Sequence, residues 1–293
     1  MNNVLILTDS NSGILQEEGK NLGIYVIPMP FTVNGSEYLK EITMSQNEFF
    51  TALESGADVK TSQPSEFYLE NLWTELLENN REIIYIPMSS GLSGTCANAA
   101  RYAEKFDGRV RVVDNKRISI TQKMSVYEAA AMAKSGKSTD EIVDYLEKSA
   151  KKSSIYIIMG VLKYLRKGGR ITPAAAALGD MLKLKPVLQS RGDNFEKYAL
   201  AISMGQAKKK VLQKLREELE TEFSEEYRSG KMVFALAHTR IPEEAARCKA
   251  EIEREFPGMK VVFVDPLSLS VSCHIGPGAL GFALMVNNYA DNI

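Results

Sequence analysis

Cysteine and histidine are both scarce in this chain. The three cysteines, Cys96, Cys248 and Cys273, are odd in number, far apart and form no C-x-x-C. That argues against a disulfide framework or a cysteine-bound metal and points to reduced thiols in a cytoplasmic protein. The two histidines, His238 and His274, would have to supply any imidazole base. No apolar run approaches the roughly 18 residues of a membrane span. The opening MNNVLILTDS has no basic n-region and only a short apolar run, so it does not read as a secretory signal. A charge excess is missing as well: 36 Lys plus Arg against 37 Asp plus Glu leave a net charge of −1, whereas an electrostatic nucleic-acid binder carries a basic surplus. No segment matches G-x-x-x-x-G-K-[ST], so no P-loop is expected. GPGALG at 276–281 has the letters of a dinucleotide fingerprint but neither the following βαβ unit nor the acid that fold requires.

What is there reads as a globular α/β protein. Hydrophobic residues make up 44% and charged residues 25% of the chain, enough apolar material for a real core, and 293 residues suit two domains. In the first half, runs at 4–7, 24–33 (extended, but interrupted by Pro28 and Pro30), 83–88 and 110–113 alternate with helical patterns. Ser45/Glu48 and Ser138/Glu141 form capping boxes, and Leu69, Leu72, Trp73, Leu76 and Leu77 recur at helical spacing after Pro64. Such alternation predicts a parallel sheet with helices on its faces. The second half is less regular. It has a strand at 153–160, a loop at 162–171 and extended segments near 185–188 and 195–202. A long amphipathic helix over 206–223, with Lys208–Lys210 on a solvated face, is followed by a strand, helix and strand between 231 and 264. The domains are placed at 1–152, an N-terminal αβα domain with a parallel sheet, and 153–293, a C-terminal α/β domain with a mixed sheet. Segments at the chain end are allowed to cross between them.

Polar chemistry concentrates in a few turns. In SSGLSGT (89–95), Ser89, Ser90, Ser93 and Thr95 crowd the mouth of a helix expected near Ser93, while Gly91 and Gly94 allow close backbone approach. Free N–H groups and hydroxyls there suit an anion; ordinary N-capping by Ser93 explains the same residues. Gly91-Leu92-Ser93-Gly94-Thr95 lacks the last glycine of the G-x-S-x-G elbow, so a serine hydrolase using Ser93 and His274 is the weaker alternative. In RKGGRITP (166–173), two glycines precede Arg170, whose guanidinium can grip a carboxylate or phosphate in two places; a solvated basic turn is the plain alternative. His274 stands before a Gly-Pro-Gly turn, either bonded to backbone or donating to an anionic head group. Thr61, Ser62 and Ser65 lie near another helix start.

In this order, TDS (8–10), TSQPS (61–65), SSGLSGT (89–95), LKYLRKGGRI (162–171), LKLKPVL (182–188) and HIGPGALG (274–281) span nearly the whole chain. Together they resemble the DegV family of bacterial fatty-acid-binding proteins. The resemblance implies one long-chain fatty acid in an interdomain cleft, with no cofactor, no metal and no catalysis by the chain itself. It implies that Thr61, Ser62, Ser93, Arg170 and His274 hold the carboxylate. Gly91, Gly94, Thr95 and Gly276 would support the head-group loops. Arg170 and His274 are expected to be the cations there. It further implies an ATP-dependent fatty acid kinase subunit as partner, which makes acyl phosphate for phospholipid synthesis, and allows transient contact with a membrane. The acyl chain is expected to lie against Ala174, Ala177, Leu178, Ala279 and Leu280, with core packing as the alternative for these residues. A stand-alone kinase of related fold is a third reading.

Overall fold

A computed structural model describes residues 4–39, 43–80, 82–178 and 184–289. Leu182 and Lys183 of the LKLKPVL segment lie outside the described residues. Internal contacts divide the chain into two compact units. The first holds Met1–Lys151, Ser268–Ser270 and Asn288–Ile293; the second holds Lys152–Leu267 and Val271–Asn287.

In the first unit, strands β1 (Val4–Asp9), β2 (Ile24–Ile27), β6 (Glu82–Ile86) and β7 (Val110–Val112) form a parallel sheet in the order β2-β1-β6-β7. β1 shows why its residues alternate. Leu5 and Leu7 face a core around Trp73, Tyr85 and Tyr102, built by helices Glu66–Asn79 and Thr95–Ala103. Thr8 points the other way and accepts from Gln122 Nε2 at 3.1 Å, on helix Ile120–Lys134. The extended run at 24–33 is not one strand. Pro28 breaks it: Ile27 ends β2, and β3 (Pro30–Val33) joins β4 (Ser36–Leu39) and β5 (Val59–Thr61) in a small antiparallel sheet of order β4-β3-β5. Proline cannot donate to a ladder, so it sits where pairing changes partner. Both capping boxes form as expected. Pro64 lies two positions before the first helical residue rather than at it, because Ser65 is the N-cap and accepts from Tyr68 N at 3.2 Å.

In the second unit, strands β8 (Ser153–Ile158), β9 (Lys185–Ser190), β10 (Glu196–Ala201), β11 (Met232–His238), β12 (Val261–Pro266) and β13 (Leu280–Val286) form a mixed sheet of order β10-β9-β8-β13-β11-β12. Only β11 and β12 are parallel neighbours in it. Helices Met204–Glu220 and Pro242–Glu255 cover one face, packing Val211, Leu215 and Ile252 on Phe234, Phe282 and Leu284. Two expectations need correction. Residues Lys163–Gly168 are a short helix, not a loop, stopped by Gly169 in the left-handed region (φ 70°), where glycine carries no Cβ penalty. Lys208 is not on a solvated face. It is 8% exposed, and its ammonium reaches Glu244 at 2.8 Å and Glu251 at 2.7 Å. Lysine in a basic run carries no sequence mark of which residue turns inward. Among the described residues, no helix is long and apolar enough to cross a membrane.

Candidate functional site

The carboxyl ends of β1 and β6 are neighbours, and the chain runs from β1 outward to β2 on one side and returns to β6 on the other. Loops that leave adjacent strands in opposite directions open a crevice, the usual ligand position of an open parallel sheet. Three hydroxyl-bearing segments meet there. Asp9, fully buried at the end of β1, ties two of them. Its carboxylate accepts from Met88 N at 3.0 Å, at the entry to the Ser/Gly turn, and from Asn11 N at 3.0 Å. Gln122 Nε2 reaches the same carboxylate at 3.2 Å and Ile86 O at 3.2 Å. Burial raises the Asp9 pKa, and these donors offset only part of that. The third segment joins through the strand break: Ser10 Oγ accepts from Met29 N at 3.0 Å, and Ser62 N donates to Pro30 O at 3.1 Å.

Within the Ser/Gly turn the serines divide into two groups. Ser89 and Ser90 shape the backbone: Ser89 Oγ accepts from Gly91 N at 3.2 Å, and Ser90 N donates to Asp114 at 3.2 Å. Ser93 and Thr95 are the pair turned to each other, their hydroxyls 2.9 Å apart, with Thr95 N donating to Ser93 Oγ at 3.2 Å. The helix itself starts at Thr95, two residues later than expected, and Gly94 occupies the N-cap. Its first-turn N–H groups have no acceptor within the helix, which leaves donors for an anion. Gln63 of TSQPS adjoins this turn, since a Cβ placed on Gly94 would lie 3.5 Å from its side-chain oxygen. Thr61 ends β5 opposite Phe31, and Ser62 is exposed beside it. The first unit thus brings Thr61, Ser62, Gly91, Ser93, Gly94 and Thr95 into neighbouring turns.

The second unit brings together Arg170, His274 and Gly276. The Arg170 guanidinium curls back and donates to the carbonyl of Gly168. Gly168 in turn lies against the His274 ring: a Cβ there would fall 2.1 Å from Nδ1. Gly276 adopts φ 74° with Tyr164 packed where its side chain would be. Burial first, and the charge of Arg170 second, push the His274 pKa down to about 4. Both causes disfavour the charged form of the imidazole beside the Arg170 guanidinium when no anion is bound. A neutral ring can still donate one hydrogen bond to an oxyanion. Of the residues expected along the acyl chain, Ala174 and Ala177 are exposed on the short helix Pro173–Ala176 and its cap, and Leu178 is half-buried. Ala279 is fully buried, and Leu280 packs into the helix-covered core of the unit. No local pattern marks Gly168 as the ring's neighbour, or Asp9 and Gln122 as the clamp.

The depressed imidazole has a measurable consequence. Between the ordinary value of 6.5 and about 4, the unfolded chain binds more protons than the folded one, so folding stability rises with pH across that window. The deficit below it amounts to at most roughly 3 kcal/mol at about 1.4 kcal/mol per unit. We expect His274→Gln to lose less stability than the wild type when urea melts are compared at pH 7 and pH 4.5. His238, lowered by burial in the same direction, is present in both proteins and cancels. Parallel curves for the two proteins would show that the ring is not held in this environment.

Residues 3–287 match the sequence profile of the DegV family, described as uncharacterised protein, DegV family. A DegV domain-containing protein of Clostridium perfringens is 30% identical over 287 residues, covering 96% of each chain. The structure of a DegV family protein from Thermus thermophilus, described for its fatty acid binding, superposes with a TM-score of 0.86 at 28% identity, over 97% of this chain and 99% of that one. DegV of Bacillus subtilis, described as a fatty acid binding protein, superposes with a TM-score of 0.85 at 26% identity, over 98% and 100%.

Proposed function

This chain belongs to the DegV family, and from that premise we propose that it carries a long-chain fatty acid by its carboxylate and presents it to a separate kinase. The observation that carries this reading is the near-full-length match to two relatives described as binding fatty acids. The hydroxyl turn of the first unit and the Arg170–His274 pair of the second are each head-group ligands in this reading. Burying the tail contributes about 0.8 kcal/mol per CH₂, roughly 11 kcal/mol gross for some 14 methylenes. An unpaired carboxylate would forfeit much of that gain. Hydroxyls, helix-start N–H groups, one guanidinium and one neutral imidazole offset the desolvation. A kinase subunit then supplies ATP, the fatty carboxylate takes its terminal phosphoryl group as ADP leaves, and acyl phosphate feeds phospholipid synthesis. The chain itself performs no turnover. Among the described residues Ser93 Oγ has the Thr95 hydroxyl and N–H as partners, which favours a carrier over an esterase.

Native mass spectrometry of protein purified from cells tests the proposal. A long-chain fatty acid that leaves on denaturation is the expected result. Protein that arrives empty and ignores added oleate in titration calorimetry sinks it. Covalent labelling of Ser93 by a serine-reactive phosphonate would favour the hydrolase instead.

A further inference from the structure

Tyr85 stands one residue before the end of β6, a strand whose carboxyl end bounds the crevice. It lies in register with Leu7 of β1, so its ring enters the core that helices Glu66–Asn79 and Thr95–Ala103 build with Trp73 and Tyr102. The residue is 0% exposed, and its hydroxyl has no hydrogen-bond partner among the described residues. A buried hydroxyl without a partner destabilises a fold, and buried side-chain polar atoms are nearly always satisfied.

The groups around this hydroxyl show which way it faces. Burial raises its pKa well above the ordinary value, and the groups whose charge adds to this are Asp9, Cys96 and Tyr68. Each belongs to a different part of the candidate site. Asp9 clamps the end of β1 to the entry of the Ser/Gly turn. Cys96 is the second residue of the helix that this turn feeds. Tyr68 is the third residue of the helix that follows TSQPS, and its N–H donates to the cap Ser65. The Tyr85 hydroxyl therefore lies under the starts of both helices, where first-turn N–H groups lack intrahelical acceptors. Asp9 does not take its proton: that carboxylate accepts from Met88 N, Asn11 N and Gln122 Nε2. Trp73 Nε1 is unpaired in the same core, but Trp73 stands two turns into its helix, away from the carboxyl edge.

We infer that Tyr85 is a further head-group ligand, its hydroxyl donating from the floor of the crevice to an oxygen of the fatty carboxylate. This rests on the fatty-acid reading above. The role differs from that of Thr61, Ser62 and Ser93, which stand in turns at the surface end of the site. An exposed hydroxyl gives up a bond to water when it takes a ligand, so its net contribution is small. The Tyr85 hydroxyl has no bond to give up, and a carboxylate that reaches it satisfies a donor the fold leaves unpaired. The lipid-free protein is thus held below its attainable stability at this position, and the bound lipid restores the difference.

Tyr85→Phe tests the assignment, since it removes one oxygen and keeps the ring. Delipidated wild type and variant are titrated with oleate by displacement of a fluorescent fatty acid, and each is melted without lipid. Oleate affinity should fall roughly tenfold, the loss of one hydrogen bond to a charged acceptor. The lipid-free variant should melt no lower than the wild type, because the hydroxyl it lacks had no partner in the core. Unchanged or tighter oleate binding overturns the assignment. A lipid-free variant that melts lower, or does not fold, shows that the hydroxyl is bonded within the fold and overturns it in favour of a structural role. Wild-type protein that binds no oleate refutes the fatty-acid reading itself, and is told apart from the other outcomes because they all leave wild-type binding in place.

Discussion

Replacing Arg170 with alanine is expected to weaken fatty-acid binding by roughly two orders of magnitude while leaving the melting temperature close to that of the wild type. The size follows from what is removed. A charge-assisted hydrogen bond contributes about 1.5–3 kcal/mol, and stranding the opposite charge in a poorly hydrated site costs about 3–5 kcal/mol. Arg170 is half-buried and spends one contact on the Gly168 carbonyl, which holds a flexible side chain in place without making it part of the core. The fold should therefore survive its loss. A second reading comes from the same variant. The arginine's charge helps depress the His274 pKa to about 4. Without it the imidazole should titrate at a higher pH in an NMR experiment, though still below its ordinary value, because burial is the larger cause. Acyl-phosphate formation with a partner kinase should be lost as well. Normal oleate affinity in Arg170→Ala would remove this residue from the head group, whatever the histidine does.

How much of this was legible beforehand differs between backbone and side chains. Short apolar runs, helical spacing and capping boxes located most elements, because those signals are local: Ser45 needs only Glu48, and Ser138 only Glu141. The small sheet β4-β3-β5 is not legible, because a run broken by Pro28 looks the same whether it resumes in the old sheet or starts another. The short helix Lys163–Gly168 is hidden, because two glycines and three basic residues read as a turn; only the left-handed Gly169 shows the helix ending there. Candidate head-group residues stood out through composition, as serines and glycines packed into a few positions. The roles of Asp9 and Gln122 did not, since they depend on partners up to 114 positions away. Nor could the sequence foretell the lowered His274 pKa, because that depends on burial and on a guanidinium 104 residues earlier (274 − 170).

Two glycines of the second unit should separate stability from binding. Gly160 follows β8, and a Cβ there would lie 2.2 Å from the backbone oxygen of Pro277 and 3.0 Å from the carbonyl carbon of Gly278. Backbone in a closely packed turn cannot move aside cheaply, so Gly160→Ala is expected to cost about 1–3 kcal/mol of folding stability. That corresponds to a fall of roughly 3–10 °C in the melting temperature of the unit. Gly168 differs in what it touches. Its Cβ would fall 2.1 Å from Nδ1 of His274, an atom of a side chain that can rotate. Alanine also favours the end of helix Lys163–Gly168 by up to about 1 kcal/mol over glycine, which offsets part of the repulsion. Gly168→Ala should therefore melt near the wild type yet bind oleate at least tenfold more weakly, because the ring has swung from its place beside Arg170. Differential scanning calorimetry and oleate titration of both variants decide the matter. If Gly168→Ala binds as the wild type does, the close fit of glycine to imidazole does not position the head group, and His274 leaves the proposed site with it.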